Sequence, residues 1–166
     1  LARSVLARHD IEAGRLDEAI QKLEQILREA PKYPLSEFLL AQALQTQGRM
    51  EEAIPHLRNI VVETDNFVTS RNARLVLSYL YTGQLAEAQD ALGVLVQATP
   101  QDPAVWFMQA AILRQMGEFQ DAQEVFKTVV STHGPPPPAD NPVLNFEIAE
   151  LYALGAEQKA AAPYYE

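Results

Sequence analysis

The chain has 166 residues, is 48% hydrophobic, carries a net charge of −9 and contains no Cys. A chain of this length can bury a core as a single domain, and its acidic balance argues against non-specific binding to DNA, RNA or anionic lipid, which demand a positive surface. Lacking Cys, it has no disulfides, no thiolate metal site and no thiol nucleophile, and no apolar run approaches the ~18 residues of a membrane span.

The chain opens at Leu1 inside a helical pattern, with neither an initiating Met nor a basic-then-apolar leader. It therefore reads as an excerpt from a longer protein. The first helical stripe runs into the phrase Gly14-Arg15-Leu16-Asp17-Glu18-Ala19. That phrase returns as Gly48-Arg49-Met50-Glu51-Glu52-Ala53, then Gly83-Gln84-Leu85-Ala86-Glu87-Ala88, then Gly117-Glu118-Phe119-Gln120-Asp121-Ala122. A weaker echo runs from Gly155 to Ala160. Successive glycines lie 34, 35, 34 and 38 residues apart, and a fixed period of this size marks a helical repeat.

Each part of the phrase has a physical task. The Gly ends one helix in a left-handed conformation that is costly for other residues. Acidic residues follow where the next helix begins, favoured by its dipole, and the small Ala five places after the Gly lets the two helices approach closely. Apolar residues then recur at helical spacing: Ile20, Leu23, Ile26 and Leu27; Ile54, Leu57, Ile60 and Val61; Leu92, Leu95 and Val96; Val125, Phe126, Val129 and Val130. Each set predicts an amphipathic second helix. Upstream of each Gly lies another stripe, such as Phe38, Leu39, Leu40, Ala43 and Leu44, so the unit is helix, tight turn, helix. Pro31 and Pro100 close the second helices of the first and third copies, with Asp65 and Gly134 in that slot in the second and fourth. Pro55 and Pro163 sit early in second helices, where mild bends are expected.

A period near 34, a small residue after a Gly turn and a closing Pro resemble the tetratricopeptide repeat (TPR). The fourth copy carries the likeness furthest, with Trp106, Ala110, Leu113, Ala122, Phe126 and Val129 in the family's slots; Gln109 stands where Leu is usual. In the first copy Asp10 replaces an aromatic or aliphatic residue, which is expected to loosen that hairpin. The resemblance implies an all-α fold, a right-handed α-solenoid of helix-turn-helix hairpins. We divide it as one array over 1–166, with repeats at about 1–33, 34–67, 69–102, 103–134 and a shortened 141–166. The stretch from His133 to Pro142 holds four successive prolines, Pro135 to Pro138, and reads as a stiff spacer. Asn141 caps the helix that restarts at Pro142. No polar capping helix closes the array, and the exposed ends are expected to support weak self-association.

The family likeness also implies where a partner would sit, because first helices of successive hairpins line the concave face. On that pattern the face comprises Arg8 and Glu12; Phe38, Gln42 and Gln45; Ala73, Leu77 and Tyr81; Phe107, Ala111 and Arg114; and Asn145, Ala149 and Tyr152. Aromatics and Arg carry most of the energy in protein interfaces, which makes Phe38, Tyr81, Phe107, Arg114 and Tyr152 the expected anchors. One TPR subclass grips a C-terminal carboxylate through Lys, Asn and Arg on successive first helices. The slot that begins that clamp reads Ser4, Phe38, Ala73, Phe107 and Asn145 here, so the clamp is missing.

Nothing in the sequence assembles chemistry. His9, His56 and His133 lie in three repeats without ligand spacing, and there is no Gly-rich phosphate loop, Gly-x-Ser-x-Gly or His-Glu-x-x-His. The expected function is a non-catalytic scaffold without metal or cofactor, holding a protein or peptide partner in the concave groove. The alternatives are a structural module stacking into homo-oligomers and a regulatory domain of an enzyme outside this segment. Nine Arg against four Lys suits a bacterial source, and the compartment, cytoplasm or bacterial cell envelope, stays open.

Overall fold

The structure is a computed structural model that describes residues 2–61, 65–138 and 141–165. Among these residues all the regular secondary structure is helical. In chain order the helices are α1 (Ala2–Glu12), α2 (Leu16–Glu29), α3 (Pro34–Thr46), α4 (Met50–Asn59), α5 (Asp65–Thr82), α6 (Leu85–Ala98), α7 (Pro103–Gln115), α8 (Phe119–His133), α9 (Pro142–Leu154) and α10 (Gln158–Ala161), with a 3-10 turn over Ala162–Tyr164. The chain forms two compact units, residues 1–78 and 79–166.

One turn motif joins the helices of the first four hairpins. Gly14, Gly48, Gly83 and Gly117 all take positive φ, between 71 and 84°. The amide of the next residue then donates to the carbonyl five positions back: Arg15 to Asp10, Arg49 to Leu44, Gln84 to Tyr79 and Glu118 to Leu113, each at 2.8–2.9 Å. This bond satisfies a carbonyl the helix end would otherwise leave orphaned. The second helix starts without a side-chain cap, and Ala19, Ala53, Ala88 and Ala122 are wholly buried where it presses on the first.

The fifth hairpin corrects the sequence reading by one residue. Gly155 has φ −81°, and it is Ala156 that turns left-handed, at φ 61°. The matching bond runs from the Glu157 amide to the Tyr152 carbonyl at 2.9 Å. Five residues after Ala156 comes Ala161, which is buried, whereas Ala160 is only partly covered. The repeat phrase is therefore Ala156 to Ala161. Its second helix lasts one turn before passing into the 3-10 turn that contains Pro163.

Three first helices begin on proline, Pro34, Pro103 and Pro142, where a missing amide hydrogen costs nothing. Asp102 caps α7 through the Ala104 amide, and Asn141 caps α9 through the amides of Val143 and Leu144. Pro55 lies inside α4, whose 10 residues fall short of the 14 of α2 and α6. In the first unit α1 pairs with α2 and α3 with α4, while α3 also packs on α1 and α2; in the second α7 pairs with α8 and packs on α6 and α9.

Two places where the sequence breaks the pattern are tied down. Asp10 is buried, and its carboxylate accepts from Arg15 Nε at 3.0 Å and from Lys22 Nζ at 2.5 Å. The expected loosening of the first hairpin is replaced by an ion cluster. The proline stretch leaves α8 at Gly134, φ 82°, and the Tyr164 hydroxyl donates to the Pro136 carbonyl at 2.5 Å. That bond clips the spacer to the end of the fifth hairpin.

Candidate partner-binding surfaces

The first-helix residues singled out above divide into those that face solvent and those that serve packing. In the first unit Arg8 and Glu12 are exposed on α1, and Gln42 is half-buried on α3. Phe38 is half-buried too. Its ring meets that of Phe67, centroids 5.0 Å apart, and the Arg74 guanidinium stands 5.1 Å over it. Gln45 is buried: its amide nitrogen donates to the Arg74 carbonyl and to Ser78 Oγ, and its oxygen accepts from Arg74 Nη1 at 2.7 Å. Burial lowers the Arg74 pKa from its ordinary value. Ala73 is half-buried and Leu77 buried. Sequence reasoning missed Phe67 and Arg74, neither of which lies in a slot that the repeat pattern assigns to a partner.

In the second unit Tyr81 is 60% exposed at the end of α5. Phe107 and Tyr152, expected as anchors, are only 3% and 4% exposed. They belong to an aromatic ladder in which Phe107 meets Phe126 edge-on at 5.7 Å and Phe126 meets Tyr152 edge-on at 4.7 Å. Tyr152 in turn stacks on Tyr164 at 5.6 Å. Rings in such contacts gain on the order of 1 kcal/mol beyond their area burial, and here that gain goes to packing within the unit. Burial is the main cause that pushes the Tyr152 hydroxyl up to about 12, with Tyr164 adding to it.

Arg114 is committed as well. Its Nε and Nη2 donate to Glu147 Oε2 at 3.0 and 2.7 Å, and its Nη1 lies 3.6 Å from Glu150. Gln115 donates to the other Glu147 oxygen at 2.7 Å and to the Leu80 carbonyl at 3.1 Å. Glu147 is thus a carboxylate 2% exposed with donors on both oxygens, a core tie that no sequence signal identified. Asn145 is half-buried, and Ala111 and Ala149 are buried. Of the slot that would begin a carboxylate clamp, Ser4 is buried against Ser36, hydroxyls 3.2 Å apart.

A second surface lies on the hairpin of α7 and α8. It is a groove of about 590 Å³ lined from α7 by Trp106, Gln109 and Leu113, and from α8 by residues between Asp121 and His133. Elsewhere, His56 Nδ1 faces Glu37 at 2.6 Å, and among the described residues no group of three His, Cys, Asp or Glu could hold a metal. No described helix is long and apolar enough to cross a membrane.

Repetition of one hairpin around one turn motif makes this an α-helical repeat protein, of the class in which each unit packs on its neighbours and leaves side chains on its faces for other proteins. More particularly, the chain belongs to the tetratricopeptide repeat family, whose models match residues 10–67 and 74–138. Solved structures agree on the all-helical fold. MamA from Desulfovibrio magneticus RS-1 is 15% identical with a TM-score of 0.70, over 99% of this chain and 89% of that one. TTC0263, a thermophilic TPR protein of Thermus thermophilus, is 20% identical with a TM-score of 0.68, over 99% and 87%. A tetratricopeptide repeat protein of Parabacteroides merdae is 15% identical with a TM-score of 0.73, over 98% and 61%. No curated protein matches the sequence.

Proposed function

We propose that the chain is a non-catalytic scaffold that holds a peptide, helix or folded segment of another protein on its first-helix faces. The observation that carries this reading is Tyr81, an aromatic left 60% exposed at the end of a first helix. A large amphipathic ring in solvent is the residue type that dominates binding energy in protein interfaces. In the second unit Asn145 accompanies it on a first helix; in the first unit the corresponding surface is Arg8, Glu12 and Gln42, beside Phe38 under Arg74. Gln45, Leu77, Phe107, Arg114 and Tyr152 are taken up by packing and leave the proposed set. On the same reading the two units belong to one array of hairpins, since the repeat phrase continues in step on either side of residue 78. A secondary reading, weak self-association, is supported by Val5 and Leu6, which stand exposed on α1; a sedimentation profile that stays monomeric at every concentration removes it.

The test of the leading reading replaces Tyr81 with a photo-crosslinking residue and, as control, does the same at exposed Gln97 on α6. Cross-links to a partner are expected from position 81 and not from 97. Tyr81→Ala is expected to weaken that partner's binding by about 2 kcal/mol or more without changing the melting temperature. Cross-links that arise equally from both positions, or binding that survives Tyr81→Ala unchanged, overturn it.

A further inference from the structure

The net charge of the chain is not shared between its two units. Residues 1–78 hold ten Lys and Arg against eleven Asp and Glu, whereas residues 79–166 hold three against eleven, a net of −8. Of those three cations, Arg114 is occupied by Glu147 and Glu150. The second unit therefore presents a strongly acidic surface with little of its own to neutralise it.

On that unit lies the groove between α7 and α8. Its apolar lining comes from Trp106, Leu113, Val125 and Val129. The indole nitrogen of Trp106 donates to the Pro100 carbonyl at 2.9 Å, which fixes the ring and leaves its surface for apolar contact. Gln109, standing where the repeat usually has Leu, adds an amide with no hydrogen-bond partner among the described residues. Asp121 and Glu124 sit toward one end, exposed, and make no ion pair among the described residues. From Asp121 to His133 the groove follows α8 for about 18 Å, at ~1.5 Å per residue, room for roughly three turns of a partner helix.

We infer that this groove docks a basic amphipathic segment of another protein, with aliphatic or aromatic residues on the Trp106–Leu113–Val125 surface and Lys or Arg against Asp121 and Glu124. The chemistry of the occupant follows from the site. An elongated apolar trough suits the apolar stripe of a helix. Unpaired carboxylates on a unit of net −8 attract cations and repel acidic segments, raising the encounter rate and setting the register. The groove is formed by one hairpin and is separate from the first-helix residues proposed above, so either surface can fail without the other.

Trp106 is the one Trp in the chain and reports on the groove directly. The probe is a synthetic amphipathic peptide of Leu, Lys and Ala, added to the whole chain; controls are the same peptide with Glu for Lys, and with Ala for Leu. The Leu–Lys peptide is expected to change Trp106 emission saturably, with an affinity that falls as salt rises, and neither control should do so. Asp121→Lys with Glu124→Lys, both exposed positions, should weaken binding about ten-fold or more. Because Asp121 lies in the first turn of α8, where Lys opposes the helix dipole, the melt is expected to drop by a few degrees at most while the helical circular dichroism signal is kept. Binding without a Trp106 response, equal binding of the Glu peptide, or an unaltered affinity in the double variant overturns the assignment. So does an emission change on concentrating the protein alone, which would put a second copy of the chain in the groove.

Discussion

The turn residues give the sharpest test, because substitutions at three of them act through two different balances, one of them in both directions. At Gly117 φ is 84°, and a Cβ built there meets no atom within 4 Å. Gly117→Ala therefore costs only backbone energy: about 1–2 kcal/mol for an L-residue in the left-handed region, less about 0.4–1 kcal/mol regained because the unfolded chain has less freedom to lose. The net expected loss is roughly 0.5–1 kcal/mol. Ala156→Gly runs the same arithmetic backwards and should stabilise by a similar ~0.5–1 kcal/mol, a rise in melting temperature of roughly 1–4 °C. Gly155→Ala differs again. Its φ of −81° suits Ala, but the new Cβ would come within 3.0 Å of Gln123 Oε1, while the Gln123 nitrogen is held to the Leu151 carbonyl at 2.6 Å. Its cost should vanish in a Gln123→Ala background, and that of Gly117→Ala should not. Urea unfolding followed by circular dichroism measures all of these. If Ala156→Gly destabilises, or Gly155→Ala costs the same with and without Gln123, the shifted turn is wrong.

Three other outcomes are expected. Lys22 and then Arg15 hold the Asp10 carboxyl below its ordinary 3.8, so the stability it contributes is present above 3.8 and lost as pH falls through the lower folded value; Asp10→Asn should flatten that part of an acid-unfolding curve. Tyr152 is the opposite case: a neutral hydroxyl pushed from 10 to about 12 stabilises fully below pH 10, and its contribution is lost as pH rises through 12, which Tyr152→Phe should abolish in alkaline melts. Glu147→Leu, by stripping Arg114 and Gln115 of their acceptor in a buried site, should cost about 3 kcal/mol in urea unfolding; adding Arg114→Met should recover part of that loss, since it removes the stranded charge, and no recovery would mean the pair is not coupled.

Much of the fold is legible in the sequence because each repeat carries its own stop signal. A Gly followed five residues later by Ala states both where the chain turns and where two helices touch, and four of the five turns fall where that phrase puts them. The fifth lies one residue further on, because Gly155 imitates the turn residue that Ala156 supplies. The neighbouring residues hold the better signal: Glu157 aligns with Glu118 and Ala161 with Ala122, and the buried Ala, which fixes the distance between helices, constrains the register more than the Gly does. Asp10 departs from its expected role for a related reason. Its slot wants an apolar side chain, but Arg15 and Lys22 lie five and twelve residues on, near enough around the turn to neutralise a carboxylate where it stands.

The partner-facing residues are harder to place because a slot on a first helix does not by itself decide exposure; what stands opposite on the second helix does. Phe38 and Phe107 occupy the same slot, ten residues before their Gly. Nine residues after the Gly the second copy has Leu57 and the fourth has Phe126. Against Leu57 there is no ring to meet, and Phe38 stays half-buried, finding Phe67 and Arg74 instead. Against Phe126 an edge-on ring contact is available, and Phe107 turns inward to take it, with Tyr152 following from the other side. Aromatic residues are thus ambiguous in a helical repeat: the area that makes a ring a good anchor for a partner makes it an equally good wedge for its own hairpin. Tyr81 escapes that competition, whereas Phe107 and Tyr152 do not, which is why the exposed ring on α5 and the groove beside Trp106, rather than the aromatic ladder, are the surfaces on which a partner is to be sought.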